Sequence, residues 1–340
     1  MNRQSLRICW IQDDKPGHLT KVRGLIKALG KVTNVSVVEC SVRWRPSFLR
    51  SLLARIPFLR EIYPLNCCLD VPDSPESFDL IISSGGATEW ANVKLSRLYG
   101  IKNVFFGSLR AYAATDFSAL PKISTSSKKN AFRLKMMPSV MNYSYANTEA
   151  EDFFKGKIGK TWSVLIGGNG SGVFWELDDW MLLASGIIDS ANKAGVKLIV
   201  TTSRRTGVIA EKALKSVFEK SGLLACAVWY HQQGIAEVSP SIAAMIGQSE
   251  LVCVTEDSAS MINEAVASGR PVVTLKPLKS NPDRVIEEML SKFAYTSHIF
   301  RNPSLEQIEI SANMCDWTFV DDDWHTVLGN EIFDFLERSK

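Results

Sequence analysis

The sequence predicts an α/β protein built of two doubly wound domains. Three observations carry this. Short apolar runs alternate with amphipathic segments, the alternation breaks once over 142–160 and then restarts, and the main apolar runs end in small or polar loops. Strands buried on both faces read as continuous apolar runs, and their alternation with helices implies a parallel sheet covered on both sides. At 340 residues each domain has enough chain for its own core.

The elements follow in order. Residues 6–11 read as a strand, then comes a loop at Asp13-Asp14-Lys15-Pro16-Gly17-His18. Residues 22–29 read as a helix stopped by Gly30, and 35–38 as a second strand. A third strand, 79–82, ends in Ser83-Ser84-Gly85-Gly86, and 102–106 is a fourth. The polar stretch 142–160, with Gly156 and Gly159, reads as the hinge between domains. Beyond it, 162–166 is a strand followed by Gly167-Gly168-Asn169-Gly170-Ser171-Gly172, and a helix over 177–194 stops at Gly195. Residues 196–202 form a strand leading into Ser203-Arg204-Arg205-Thr206, then a helix over 208–221 and a strand over 224–229. Leu251-Val252-Cys253 opens a buried strand that runs into Thr255-Glu256-Asp257-Ser258 and a helix, before a last strand over 272–275. The expected division is 1–150, 151–310 and a C-terminal segment, 311–340, packing back on the first domain.

Composition excludes several classes. A net charge of +3 is too small to argue for nucleic acid. The sequence has no apolar run long enough to span a bilayer, and residues 1–6 lead into a strand rather than a signal core, so a cytoplasmic home is expected. The 7 cysteines are scattered without a CxxC pair, which favours neither zinc nor disulfides. Asp321-Asp322-Asp323 reads as a solvated turn or helix cap, no metal is expected, and His231, His298 and His325 receive no role.

The candidate chemistry lies in loops that follow strands, where open α/β sheets bind ligands. A helix starting at Ser258 would offer unpaired N–H groups and a positive dipole end, a seat for phosphate. Ser260, Met261 and Glu264 share that helix, and Glu264 would reach a ribose beside the phosphate; the plainer reading is an ordinary helix cap. Gly167, Gly168, Asn169 and Gly170 give backbone room for close approach, or make a flexible turn. Ser203, Arg204 and Arg205 place two cations beside them; arginine's planar fork suits phosphate oxygens, though solvated surface arginines are common. Glu256 and Asp257 are harder to place, because negative charge beside a phosphate is unfavourable unless it caps N–H groups or holds a sugar hydroxyl. In the first half, His18 is the candidate general base, with Asp13 or Asp14 orienting or replacing it, and Lys15, Gly17, Gly85 and Gly86 on the same edge. Residues 41–62 interleave Arg43, Arg45, Arg50, Arg55 and Arg60 with apolar side chains. That stretch suits an anionic membrane surface, or a helix packed on the sheet with its basic face in water.

Together these residues resemble the ELM1 family, named for plant mitochondrial-fission proteins and populous among bacterial glycosyltransferase-like sequences. The matching pieces are Asp14-Lys15-Pro16-Gly17-His18, Leu165-Ile166-Gly167-Gly168-Asn169, Thr201-Thr202-Ser203-Arg204-Arg205-Thr206, and Val254-Thr255-Glu256-Asp257-Ser258 with Ser260-Met261. Where the family pattern continues with Glu-Asn-Gln after the histidine, this chain has Leu19-Thr20-Lys21. The resemblance implies a GT-B glycosyltransferase with two Rossmann-like domains facing across a cleft, the second holding a nucleotide sugar and the first a glycan acceptor. Related bacterial sequences are associated with lipooligosaccharide outer-core synthesis. Residues 258–271 also resemble the donor site of the enzyme that adds N-acetylglucosamine to lipid I, where the glutamate matching Glu264 holds the ribose. The expected function is metal-independent transfer to a lipid-linked or other membrane-associated glycan at the inner face of the cytoplasmic membrane, with no cofactor beyond the donor. The rivals are a membrane-associated scaffold that has lost the chemistry and a nucleotide-sugar epimerase.

Overall fold

The computed structural model describes every residue except 1–4, 45–47, 71–73, 124–125, 129, 157, 233–238, 303, 309, 312, 314 and 339–340. The chain divides into two compact units, Met1–Val140 with Asp323–Lys340, and Met141–Asp322.

In the first unit, β1 (Ser5–Gln12), β2 (Asn34–Ser41), β3 (Leu80–Ser84) and β4 (Lys102–Phe106) form a parallel sheet in the order β2-β1-β3-β4. Helix α1 (Pro16–Gly30) begins inside the stretch expected to be a loop, because proline at the first helical position lacks only an N–H that would be unpaired anyway. His18 therefore stands on the first turn of a helix. Residues 49–62 form two short helices, α2 (Leu49–Arg55) and α3 (Pro57–Ile62), with the break at Pro57. Helix α4 (Glu89–Tyr99) follows β3, and β5 (Leu120–Lys122) and β6 (Ala131–Arg133) make a separate parallel pair.

The second unit opens with α5 (Tyr143–Phe154), where the sequence suggested a hinge. Asn142 caps it by accepting the Tyr145 N–H at 3.1 Å, and its apolar face (Ala146, Ala150, Phe154) is buried in the second unit. The domain boundary thus falls at 140–141 rather than 150, and 311–322 stay with the second unit. The remaining elements are β7 (Thr161–Leu165), α6 (Leu177–Ala194), β8 (Lys197–Thr201), α7 (Val208–Lys220), β9 (Leu224–Val228), α8 (Ile242–Gln248), β10 (Leu251–Thr255), α9 (Ala259–Ala267), β11 (Val272–Leu275), α10 (Arg284–Tyr295) and β12 (Phe300–Arg301). The sheet is parallel throughout, in the order β12-β11-β10-β7-β8-β9. Strands β7 and β10 are buried at every residue, which is why they read as unbroken apolar runs. The final helix, α11 (Trp324–Arg338), packs on α1 within the first unit, where Gly329 lies against the Ala28 carbonyl.

Candidate functional site

In the second unit the chain runs outward from β7 to β8 and β9, then crosses back to place β10 on the other side of β7. Ligands of open α/β sheets sit where the strand order reverses, outside the carboxyl ends of those strands. The loops after β7 and β10 flank that point, and both were candidates in the sequence.

The loop after β7 is tied to its neighbours on both sides. Gly167 donates its N–H to Thr255 Oγ1 at 2.8 Å, and its carbonyl accepts from the hydroxyls of Ser203 and Thr206. Gly168 adopts φ +151°, and a Cβ there would lie 2.1 Å from the Arg205 carbonyl, so only glycine fits. Asn169 braces the loop from within, accepting the Trp175 N–H at 2.7 Å, and Gly170 closes a tight turn onto Val173. Ser203 Oγ also accepts the Arg205 N–H at 3.1 Å.

Asp257 sits at the centre. Its buried carboxylate accepts the Gly168 N–H at 2.9 Å and pairs with Arg205 at 2.8 Å, while its Oδ1 has no hydrogen-bond partner among the described residues. Burial pushes its pKa up to about 6, against the opposing pull of Thr255, Arg205 and Gly168. Glu256 turns the other way, under β11. It accepts from Thr274 Oγ1 at 2.8 Å and is forked by Arg301, Nε to Oε1 at 2.9 Å and Nη2 to Oε2 at 2.8 Å. Glu256 is thus part of a buried ion pair that shapes the loop. Arg301 escaped the sequence reading because 45 residues separate the two.

Helix α9 begins at Ser258, whose side chain makes no cap bond, so the first N–H groups of the helix lack that usual partner. Ser260 is exposed and Met261 half-buried on the first turn. Glu264 is half-buried, with no hydrogen bond or ion pair to its carboxylate among the described residues, and burial pushes its pKa up to about 7. Of the two arginines, Arg204 is exposed while Arg205 is engaged by Asp257.

The first unit repeats the logic. Its strand order reverses between β1 and β3, and the loops after those strands meet. Gly85, at φ +87°, lies against the His18 ring; a Cβ there would come within 2.1 Å of it. His18 Nδ1 stands 2.9 Å from both oxygens of the buried Asp13. The partner carboxylate is therefore Asp13; Asp14 is exposed, as are Lys15 and Gly17. An Nδ1–H held by Asp13 leaves Nε2 as the basic nitrogen, the arrangement of an oriented general base. Beside it, Gly86 lines a small cleft with Trp44, Ser51, Leu53, Trp90 and Arg110. The acid in that cleft, Glu89, is committed to the backbone N–H groups of Arg110, Ala111 and Tyr112.

Asp322, Asp323 and His325 have structural roles. Asp322 accepts the Ser144 N–H at the start of α5, and Asp323 accepts from Thr326 in the first turn of α11. Buried His325 stands 2.8 Å from the Ser139 carbonyl.

Two Rossmann-like units with these strand orders, and with loops gathered at each switch point, define a GT-B type of fold. The chain belongs to the Mitochondrial fission ELM1 family, whose model matches residues 16–298. No curated protein matches it significantly. Among solved structures, the UDP-GlcNAc 2-epimerase of Methanocaldococcus jannaschii is similar at 13% identity and a TM-score of 0.57, over 97% of this chain and 100% of that one. The same enzyme in complex with UDP-GlcNAc and UDP is similar at 12% identity and a TM-score of 0.54, over 98% and 99%. At such identities the likeness speaks for the fold alone.

Proposed function

We propose that this protein is a glycosyltransferase that moves a sugar from a nucleotide-sugar donor to a membrane-associated glycan of the lipooligosaccharide-core kind, at the inner face of the cytoplasmic membrane. One observation carries the reading: a helix start without a side-chain cap and a glycine loop flank the switch point of the second unit, with a half-buried glutamate one and a half turns into that helix that makes no hydrogen bond or ion pair among the described residues. The diphosphate would sit on the α9 N-terminus and the glycine loop. Arg204 and Arg205 would offset charge on the departing phosphate, and Glu264 would hold the ribose hydroxyls. In the first unit, His18 oriented by Asp13 would take the acceptor hydroxyl's proton as that oxygen attacks the anomeric carbon.

The test is calorimetric titration with UDP-N-acetylglucosamine, GDP-mannose and ADP-glucose, followed by a transfer assay with the donor that binds. Glu264→Ala is expected to weaken that donor about 10- to 100-fold, the worth of hydrogen bonds to a charged group. His18→Ala is expected to leave donor affinity unchanged and lower kcat about 10²- to 10⁴-fold. Unchanged donor affinity in Glu264→Ala removes that residue from the site. No binding by folded wild type favours the scaffold, and conversion of the donor without an acceptor favours the epimerase.

The membrane part of the reading rests on α2 and α3. Phe48, Phe58 and Ile62 are 62%, 70% and 57% exposed, with Arg43 and Arg55 also exposed nearby in sequence. Arg60 instead binds the carbonyls of Leu53 and Ala111 and covers Tyr112, so it braces the hairpin. Arg45 and the side chain of Arg50 lie outside the described residues. No helix among the described residues is long and apolar enough to cross a membrane, so the contact proposed is interfacial. Replacing Phe48 and Phe58 together by serine should cut sedimentation with phosphatidylglycerol vesicles about tenfold or more, since each buried phenyl ring is worth roughly 1.5–3 kcal/mol. Equal sedimentation of variant and wild type removes this face from the membrane.

A further inference from the structure

The carboxylate of Asp257 occupies groups that suit an anionic ligand. The Gly168 N–H and the Arg205 guanidinium are the donors a phosphate takes at such a loop, and both already point at Asp257, at 2.9 and 2.8 Å. The side chain is fully buried, and its second oxygen, Oδ1, is buried with no hydrogen-bond partner among the described residues. A phosphate arriving at this loop meets a fixed negative charge that cannot turn into solvent. Among the described residues no cation beyond Arg205 is paired with it: the neighbouring Glu256 is held by Arg301, which is shared with Glu287.

We propose that Asp257 is an internal counter-anion of this loop, and that binding a nucleoside diphosphate ester there is coupled to uptake of one proton by its carboxyl group. This rests on the donor-site reading above. Protonation removes the repulsion, frees Arg205 to turn to the ligand, and converts an acceptor-only carboxylate into a donor for a phosphate oxygen. The proton comes from solvent and lands on a carboxylate oxygen; no covalent bond to the ligand forms or breaks.

The sign follows from linkage. Burial already raises the Asp257 pKa to about 6 in the free protein, and a nearby diphosphate raises it further. Between those two values binding takes up a proton, so affinity rises as pH falls, by at most tenfold per pH unit. Below about 6 the carboxyl is already neutral and the gain stops. The groups facing it are Arg205, the Thr255 hydroxyl and the Gly168 N–H, each of which favours the charged form. Glu264, pushed up to about 7 on α9, titrates over the same range but with opposite effect if it holds the ribose in its charged form. The comparison of wild type with Asp257→Asn cancels that contribution.

The experiment is calorimetry of the three nucleotide sugars named above at pH 6, 7 and 8, in two buffers of different ionisation enthalpy. These ligands are phosphate diesters and have no titrating group of their own in this range. Asp257→Asn is expected to bind about tenfold or more tightly than wild type at pH 8, and equally at pH 6. Wild type should take up a proton at pH 7 that the variant does not. Binding by wild type and by folded Asp257→Asn with the same number of protons exchanged overturns the proposal without touching the donor site. So does a ratio of affinities that does not change with pH. Failure of all three ligands to bind folded wild type removes the donor-site reading and this proposal together.

Discussion

Gly168→Ala is expected to abolish measurable nucleotide-sugar binding and to lower the melting temperature. The position has φ +151°, a region a side chain rarely enters, and the new Cβ would lie 2.1 Å from the Arg205 carbonyl oxygen and carbon. Both contacts are to backbone, so no rotamer change relieves them. The loop must move away from the Ser203–Thr206 turn, or that turn must move with it. Either shift breaks the bond from Gly168 to Asp257 and strains the bonds from Ser203 and Thr206 to the Gly167 carbonyl. Strained backbone costs roughly 1–3 kcal/mol and overpacking a similar amount. A loss of about 3–5 kcal/mol in loop geometry corresponds to more than 100-fold in affinity. Gly159→Ala is the control: a Cβ there meets nothing within 4 Å, and neither binding nor melting should change. Wild-type affinity in Gly168→Ala would show that the loop after β7 does not touch the ligand.

That loop was legible in the sequence because its strand was. Strands β7, β8 and β10 are short runs buried on both faces, and each ends abruptly in glycine, serine or acidic residues. Such a run has one reading, and a loop at its carboxyl end has one address. The same logic located His18 and Gly85 beyond the carboxyl ends of neighbouring strands of the first unit. Which aspartate serves His18 was not legible. Asp13 and Asp14 are adjacent, and the choice depends on α1 starting at Pro16, which turns His18 back over the end of β1. The stretch 142–160 misled for a different reason. Only part of one face of α5 is buried, so its polar majority looks like linker. The partner of Glu256 was hidden by topology: β12 joins the sheet beside β11 with only two residues, too few to show a strand period.

Arg301 is where that hidden topology has its largest consequence. Arg301→Met is expected to destabilise the protein by about 3–5 kcal/mol, because it leaves a buried carboxylate without its counter-charge. Glu256 is wholly buried, and after the substitution only the Thr274 hydroxyl among the described residues still serves it. Lysine should not rescue: the guanidinium reaches Glu256 through Nε and Nη2 while also serving Glu287 through Nη1 at 2.6 Å, a fork a point charge cannot reproduce. Glu256→Gln with Arg301→Met should recover a large part of the loss, since neutralising both partners removes the stranded charge. Urea unfolding of wild type, the two single variants and the double variant gives the coupling energy, expected at about 1–3 kcal/mol. Glu256 immediately precedes Asp257 and the start of α9, so the single Arg301 variant should also weaken nucleotide sugars, while the double variant regains affinity along with stability. Destabilisation below about 1 kcal/mol in Arg301→Met would mean that Glu256 finds another partner. Parallel recovery of stability and affinity is what distinguishes a pair that shapes the loop from a pair that touches the ligand: in the second case the double variant folds well and still fails to bind.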